Sequence, residues 1–310
     1  MKSRRFIQCD VFSSVPVWGN GLAVVVDGDG LSDEEMQLFA AWTNLAETTF
    51  LMTPTDARAD YKVRIFTPAR EMLFAGHPTL GSCESWLHSG GKPKDAGIVR
   101  QECGVGIVDI DIAGEVPSFL APETKVEPLP DDMLTSIRDA LEISEDRIVR
   151  TARLTNGPEW QVLELASARD VLMADSAKIR YPAFRGIGLI GAHDPGEECD
   201  YEVRMMGASS GMSEDTITGS LNAAIGCWMR DLGVWSGAKK IAQGTCIGRY
   251  GRVSVRCEEQ GVWIGGQSHV LIEGTVLLQS KIVPDRSAWR IHLKRSGFSA
   301  QRSSDCAYSR

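Results

Sequence analysis

The 310-residue chain carries 33 Lys and Arg against 41 Asp and Glu, a formal net charge of −8. That balance lacks the basic surface that phosphate backbones or anionic membranes require, so neither nucleic acid nor membrane is expected as a partner. A hydrophobic content of 43% with 24% charged residues is that of a soluble globular protein, and the length fits two domains.

The basic start, Lys2-Ser3-Arg4-Arg5, is followed by Gln8 and Asp10 rather than by an apolar stretch. No signal peptide is read there, and the cytoplasm is the expected compartment. Residues 5–12 predict a first strand. Apolar stretches such as residues 22–26 fall far short of the roughly 20 residues of a membrane-spanning helix. Ser32 and Glu35 form a capping-box pattern, Leu31 and Met36 a hydrophobic staple, and Met36, Phe39, Ala40 and Thr43 recur at helical spacing. The spacing predicts a helix ending near Asn44. The β-prone piece Thr48-Thr49-Phe50-Leu51 follows, which leaves Glu47 at a helix-to-strand junction.

Tyr61–Phe66 alternates apolar with charged residues and predicts a strand, as does the alternation of Val108, Ile110 and Ile112 with Asp109 and Asp111. Between them lies Gly76-His77-Pro78-Thr79-Leu80-Gly81-Ser82, then a helix that ends at Gly90-Gly91; Pro suits the first turn of a helix and Gly the position past its end. Residues 113–130 hold four of the 13 prolines and read as a linker. Asp131–Leu141 predicts a helix. From Pro284 the chain turns Ser-rich and basic, and residues 284–310 are expected to be a loosely docked tail.

An internal repeat organises the rest. Tyr61-Lys62-Val63-Arg64-Ile65-Phe66 is echoed by Tyr201-Glu202-Val203-Arg204-Met205-Met206. Gly81-Ser82 matches Gly219-Ser220, and Gln101 has a weak echo in Gln243. This alignment sets His77 opposite Asp215. The second helix, residues 221–232, is apolar nearly all round, which marks a buried helix. Two matched loops at helix N-termini are expected to face each other across a cleft. Helix N-termini carry unpaired N–H groups and partial positive charge, so such a cleft suits a carboxylate or enolate-like anion. Chemistry of that kind also needs a proton carrier.

His77 is a candidate carrier or donor, or a loop histidine that caps its helix. Asp215 is a candidate partner or a capping aspartate. Ser220 lies where a hydroxyl meets the cleft, or where a small residue permits tight packing. Glu47 has apolar neighbours, Leu45, Ala46, Phe50 and Leu51, and partial burial would raise its pKa; the plainer alternative is a solvated helix-end carboxylate. Eight scattered cysteines without a CxxC pair, and five histidines without ligand spacing, indicate no metal site. Gly19-Asn20-Gly21 and Gly104-Val105-Gly106 lack the strand, GxGxxG and helix context of a dinucleotide site, and neither a P-loop nor a Gly-x-Ser-x-Gly elbow is present.

Several ordered motifs resemble the PhzF-like family of phenazine biosynthesis. They are Asp10-Val11-Phe12 with Gly19-Asn20-Gly21-Leu22-Ala23-Val24-Val25; Leu31-Ser32-Asp33-Glu34-Glu35-Met36; Asn44-Leu45-Ala46-Glu47-Thr48-Thr49-Phe50; Phe74-Ala75-Gly76-His77-Pro78-Thr79-Leu80-Gly81; and Glu214-Asp215-Thr216-Ile217-Thr218-Gly219-Ser220. The resemblance covers residues 5–278. It implies an α+β, diaminopimelate-epimerase-like fold with two pseudo-symmetric domains, each a curved antiparallel sheet around a central helix. The expected division is 1–117 and 118–283. It further implies a homodimeric, cofactor-independent isomerase without metal, acting on a small carboxylate substrate. Glu47 is then the general acid/base, with His77 and Asp215 as catalytic partners and Gly76, Gly219 and Ser220 as substrate-binding residues. Thr216, Ile217 and Gly21 depart from the phenazine enzyme's own motif, so the resemblance names a chemistry and leaves the substrate open. An amino-acid epimerase on the same residues and a non-catalytic metabolite binder are the alternatives. The two-thiol epimerases of this fold carry Cys in both helix-start loops, which this chain does not.

Overall fold

The computed structural model describes residues 2–180, 182–207 and 213–278. The basic tail expected at 284–310 lies outside them. The first repeat runs β1 (Lys2–Val11), β2 (Asn20–Val25), α1 (Asp33–Thr43), β3 (Glu47–Met52), β4 (Tyr61–Phe66), β5 (Glu71–Met72), α2 (Gly76–His88), β6 (Ile98–Cys103), β7 (Gly106–Asp111) and β8 (Ser118–Leu120). The second comprises β9 (Lys125–Glu127), α3 (Asp131–Leu141), β10 (Ile148–Thr155), β11 (Glu159–Leu165), α4 (Ala168–Met173), β12 (Ile187–Ala192), β13 (Tyr201–Met206), β14 (Glu214–Asp215), α5 (Gly219–Asp231), β15 (Gly237–Gln243), β16 (Gly251–Glu258) and β17 (Gly261–Gly265). β18 (Ser268–Leu278) follows.

The two series pair identically. β2 lies parallel to β3 as β11 does to β12, and β4 parallel to β6 as β13 does to β15. The remaining neighbours within each series are antiparallel. This is the α+β, diaminopimelate-epimerase-like architecture, a sheet-dominated fold with one central helix per repeat. β18 returns from the end of the second series to pair with β1 along its whole length. The proline-rich stretch is not an open linker. β8 inside it bonds to both β7 and β17, and β9 to β10, with the prolines bracketing these three-residue strands.

α2 and α5 are each 13 residues long and wrapped by strands, as the apolar surround of the second helix requires. Both contribute to one core that includes Leu80, Cys83, Leu221, Ala224 and Ile225. Their first residues, Gly76 and Gly219, correct the alignment of the repeat. Gly219-Ser220 is the counterpart of Gly76-His77, not of Gly81-Ser82, and Asp215 corresponds to Met72 on the preceding short strand. The Gly-Ser dipeptide occurs one helical turn inside α2 but at the very start of α5. All seven described cysteines are unpaired, and Cys83 and Cys227 sit inside the two helices.

Candidate active site

Glu47 owes its position to the end of α1. Ser32 caps that helix by accepting from the Glu35 N–H at 3.3 Å, while the Glu35 carboxylate accepts from the Ser32 N–H at 2.8 Å. Asn44 stops it in the left-handed conformation at φ 54°, its N–H still bonded to the Ala40 carbonyl. The chain reverses there, and Glu47 becomes the first residue of β3, in register with Leu22 of β2. Thr48, Thr49 and Phe50 beyond it are fully buried.

His77 is the second residue of α2 and 4% exposed. Its Nδ1 lies 3.4 Å from Glu47 Oε2, and Glu47 keeps 18% of its side-chain surface open. Nδ1 also lies 3.4 Å from Asn20 Nδ2. Nε2 is buried with no hydrogen-bond partner among the described residues.

Asp215, on β14, comes from the second repeat. Its Oδ2 accepts from the Thr218 hydroxyl at 2.6 Å and its Oδ1 from the Thr216 N–H at 2.9 Å. Thr218 is held in turn by Gln243. The Gln243 Nε2 donates to Thr218 Oγ1 at 3.0 Å, and its Oε1 accepts from the Thr218 N–H and from Asn222 Nδ2. Every polar atom of that amide is therefore used, which holds the threonine hydroxyl and with it the aspartate. Gln101 bonds Thr79 in the first repeat in a related way, with Tyr61 donating to its Oε1.

The electrostatics follow from burial. The Glu47 carboxyl is pushed up to about 8, chiefly by burial and then by the negative charge of Asp215. Asp215 is raised by burial too, against the opposing hydrogen bonds from Thr218 and Thr216. Burial pushes His77 down to about 3. At neutral pH the imidazole is uncharged, and Glu47 is poised between its two protonation states. Two carboxyl groups and a neutral imidazole thus gather with no lysine or arginine bonded to any of them among the described residues.

The two helix starts meet at this place. A Cβ on Gly76 would fall 2.8 Å from the Cα of Gly219, and one on Gly219 would fall 2.9 Å from the Cα of Gly76 and 3.1 Å from the His77 nitrogen. Neither helix has a side-chain N-cap, so their first N–H groups are left for other acceptors. Ser220, 7% exposed, is the second residue of α5. The structure therefore brings Gly76, His77, Gly219 and Ser220 to one junction and Glu47 against His77, with the charge of Asp215 felt at Glu47. Asn20, Thr218 and Gln243 were not singled out for the site from sequence. Asn20 carried a signal in the Gly19-Asn20-Gly21 motif; Thr218 stands three residues after Asp215, the spacing of a local hydroxyl–carboxylate contact. Among the described residues no group of three His, Cys, Asp or Glu is placed to hold a metal ion.

Comparison with known proteins identifies the family. Residues 9–276 match the family described as phenazine biosynthesis-like protein. The chain is 35% identical over 293 residues to antisense-enhancing sequence 1 of Schizosaccharomyces pombe, covering 88% of this chain and 99% of that protein. It is 28% identical over 290 residues to a trans-2,3-dihydro-3-hydroxyanthranilate isomerase of Pseudomonas fluorescens, with 88% and 99% covered. A solved phenazine biosynthesis protein of the PhzF family from Bacillus anthracis superposes with a TM-score of 0.76 at 20% identity, over 90% of this chain and all of that one. The chain belongs to the phenazine biosynthesis-like family and is an isomerase of the PhzF type.

Proposed function

We propose that the protein is a cofactor-independent isomerase that moves a proton between two carbons of a small carboxylate-bearing metabolite, with Glu47 as general acid/base. The observation that carries this reading is the Glu47 carboxyl, buried against His77 with its pKa pushed up to about 8. A carboxylate in ordinary solvent is too weak a base to take a carbon-bound proton, and burial makes it stronger. Glu47 takes the proton as the C–H bond breaks, and the electron pair delocalises into the adjoining unsaturated system. Glu47, its proton exchanged with solvent in the meantime, then delivers a proton to another carbon. Nothing is oxidised, and the carboxyl group ends as it began.

The substrate carboxylate sits at the junction of the two helix starts, where the N–H groups of the first turns of α2 and α5 serve as donors. Gly76 and Gly219 let the two backbones come this close. The Ser220 hydroxyl adds a donor beside them. His77, neutral at working pH, presents Nε2 to the substrate. Asp215 accepts from an amine or hydroxyl of the substrate. The homologous trans-2,3-dihydro-3-hydroxyanthranilate isomerase makes a carboxylated cyclic diene of that type the first substrate to try.

A second reading is epimerisation, in which Glu47 takes the proton from one face of a stereocentre and Asp215 returns one on the other. The negative charge of Asp215, which helps to raise the Glu47 carboxyl, favours it. We also propose a cytoplasmic homodimer, on the family resemblance, and no nucleic-acid partner, on the net charge of −8. The test is to incubate the enzyme with trans-2,3-dihydro-3-hydroxyanthranilate and with a panel of small chiral amino acids and to follow each by proton NMR and optical rotation. A product of the same composition with a shifted double bond supports the isomerase. Loss of rotation without a double-bond shift supports the epimerase. Saturable binding with no conversion of any carboxylate overturns both.

A further inference from the structure

We propose that Asn20 is a positioning residue that holds His77 as the tautomer with its hydrogen on Nε2. The inference deepens the functional reading above and rests on it only for the use made of that hydrogen. Asn20 opens β2, is 3% exposed, and reaches across to the other repeat. Its Nδ2 donates to the Ile217 carbonyl at 3.0 Å. A carbonyl oxygen can only accept, so this contact identifies Nδ2 as the amide NH2 end and leaves it one further hydrogen. That hydrogen has the His77 Nδ1 before it at 3.4 Å.

The same ring nitrogen faces Glu47 Oε2, also at 3.4 Å. An ionised carboxylate there draws the ring hydrogen onto Nδ1, whereas an amide NH2 keeps it off. Whenever Glu47 has given up its proton, Asn20 is the only donor that keeps Nδ1 an acceptor among the contacts described. The ring hydrogen then stays on Nε2, the buried atom without a protein partner. Contacts of about 3.4 Å commonly shorten when substrate binds. Ile217 lies two residues past Asp215, so one amide ties the histidine of the first repeat to the aspartate segment of the second. The tautomer, the reach of Nε2 toward substrate and the approach of the two repeats are thus set by one side chain. The hydrogen bond made by one ring nitrogen of a histidine commonly decides which nitrogen carries the hydrogen.

The experiment is nitrogen-15 NMR of the whole protein with labelled histidine, without substrate and at about pH 9.5, where Glu47 is ionised, the His77 signals being assigned by their absence in His77→Gln. The expected result is a protonated Nε2 and an unprotonated Nδ1. Asn20→Asp replaces the donor by an acceptor and should move the hydrogen to Nδ1, with kcat lowered at least about tenfold and KM changed little. A wild-type His77 with its hydrogen on Nδ1 overturns the proposal, and so does an unchanged tautomer in folded Asn20→Asp. If Asn20→Asp does not fold by circular dichroism, the wild-type spectrum alone decides. The tautomer is read without substrate, so the expected spectrum on an enzyme that converts nothing would sink the functional reading and leave this one standing.

Discussion

The Cα of Gly219 occupies the space that a side chain on Gly76 would need, with 2.8 Å between the two positions. This single approach brings the N-termini of two buried helices from two repeats into one junction. Alanine at either position forces the helices apart, because the nearest obstructing atoms are backbone and cannot swing away. Gly76→Ala and Gly219→Ala should each lose about 1–3 kcal/mol of stability, read as a lowered urea midpoint, together with most activity. An unchanged midpoint in both would show that the junction is looser than described.

The buried carboxyl sets a stability slope. The folded-state pKa of Glu47, about 8, lies above its ordinary 4.5, so the folded protein holds a proton that the unfolded chain releases between those values. Stability from this group is complete below about pH 4.5 and is lost as pH rises through 8. Glu47→Gln carries no such charge and should exceed wild type in stability at pH 9 by about 2–4 kcal/mol, the advantage shrinking as the pH falls toward 4.5. His77 acts at the other end. Its pKa of about 3 lies below the ordinary 6.5, so its contribution is lost as pH falls through that interval. Urea titrations of both proteins at pH 5, 7 and 9 check the sign.

Thr218 joins Gln243 to Asp215. Thr218→Val removes the donor at 2.6 Å from Asp215 Oδ2 and leaves Gln243 Nε2 without its acceptor. The hydrogen bond lowers the aspartate, so its loss should raise the Asp215 pKa further and move the acid limb of the rate profile to higher pH. A stability loss of about 1–3 kcal/mol should accompany it, from the buried amide left unpaired. A profile that does not move would separate Asp215 from the rate.

Glu214, the residue before Asp215, is fully buried against Arg204 with a 2.6 Å ion pair. The Arg204 guanidinium also donates to the Val171 carbonyl at 3.0 Å, fastening β13 to α4. Glu214→Ala would leave that cation buried without its counter-charge, at a cost of about 3–5 kcal/mol. Glu214→Gln should cost less, since an amide oxygen still accepts. Equal losses in the two variants would contradict the ionic account.

How far the chain could be read varied with how local the signal was. The capping box at Ser32 and Glu35, the strand Tyr61–Phe66 and the helix Asp131–Leu141 all stand where local pattern places them. The two helices rest on contacts within a few residues, and the strand shows its alternation within six. The repeat was visible, but its helix starts were matched five residues out, because the Gly-Ser pair marks the first turn of α5 and the second turn of α2. The strands inside 113–130 were hidden, since three residues between prolines show no period and gain their bonds from β7, β10 and β17. Asn20 illustrates the same limit within the site. Its partner Ile217 lies 197 positions away, a distance that no spacing argument crosses.

The most direct measurement of the central claim is solvent deuterium incorporation at carbon, followed by NMR, on a substrate that the wild type converts. The wild-type enzyme in D2O should place deuterium at the carbon that gains the proton. Glu47→Gln, with an unchanged circular dichroism spectrum, should show neither turnover nor exchange, a fall of at least about a thousandfold. Full turnover with deuterium incorporation in Glu47→Gln would contradict the account, because the proton would then be carried by another group.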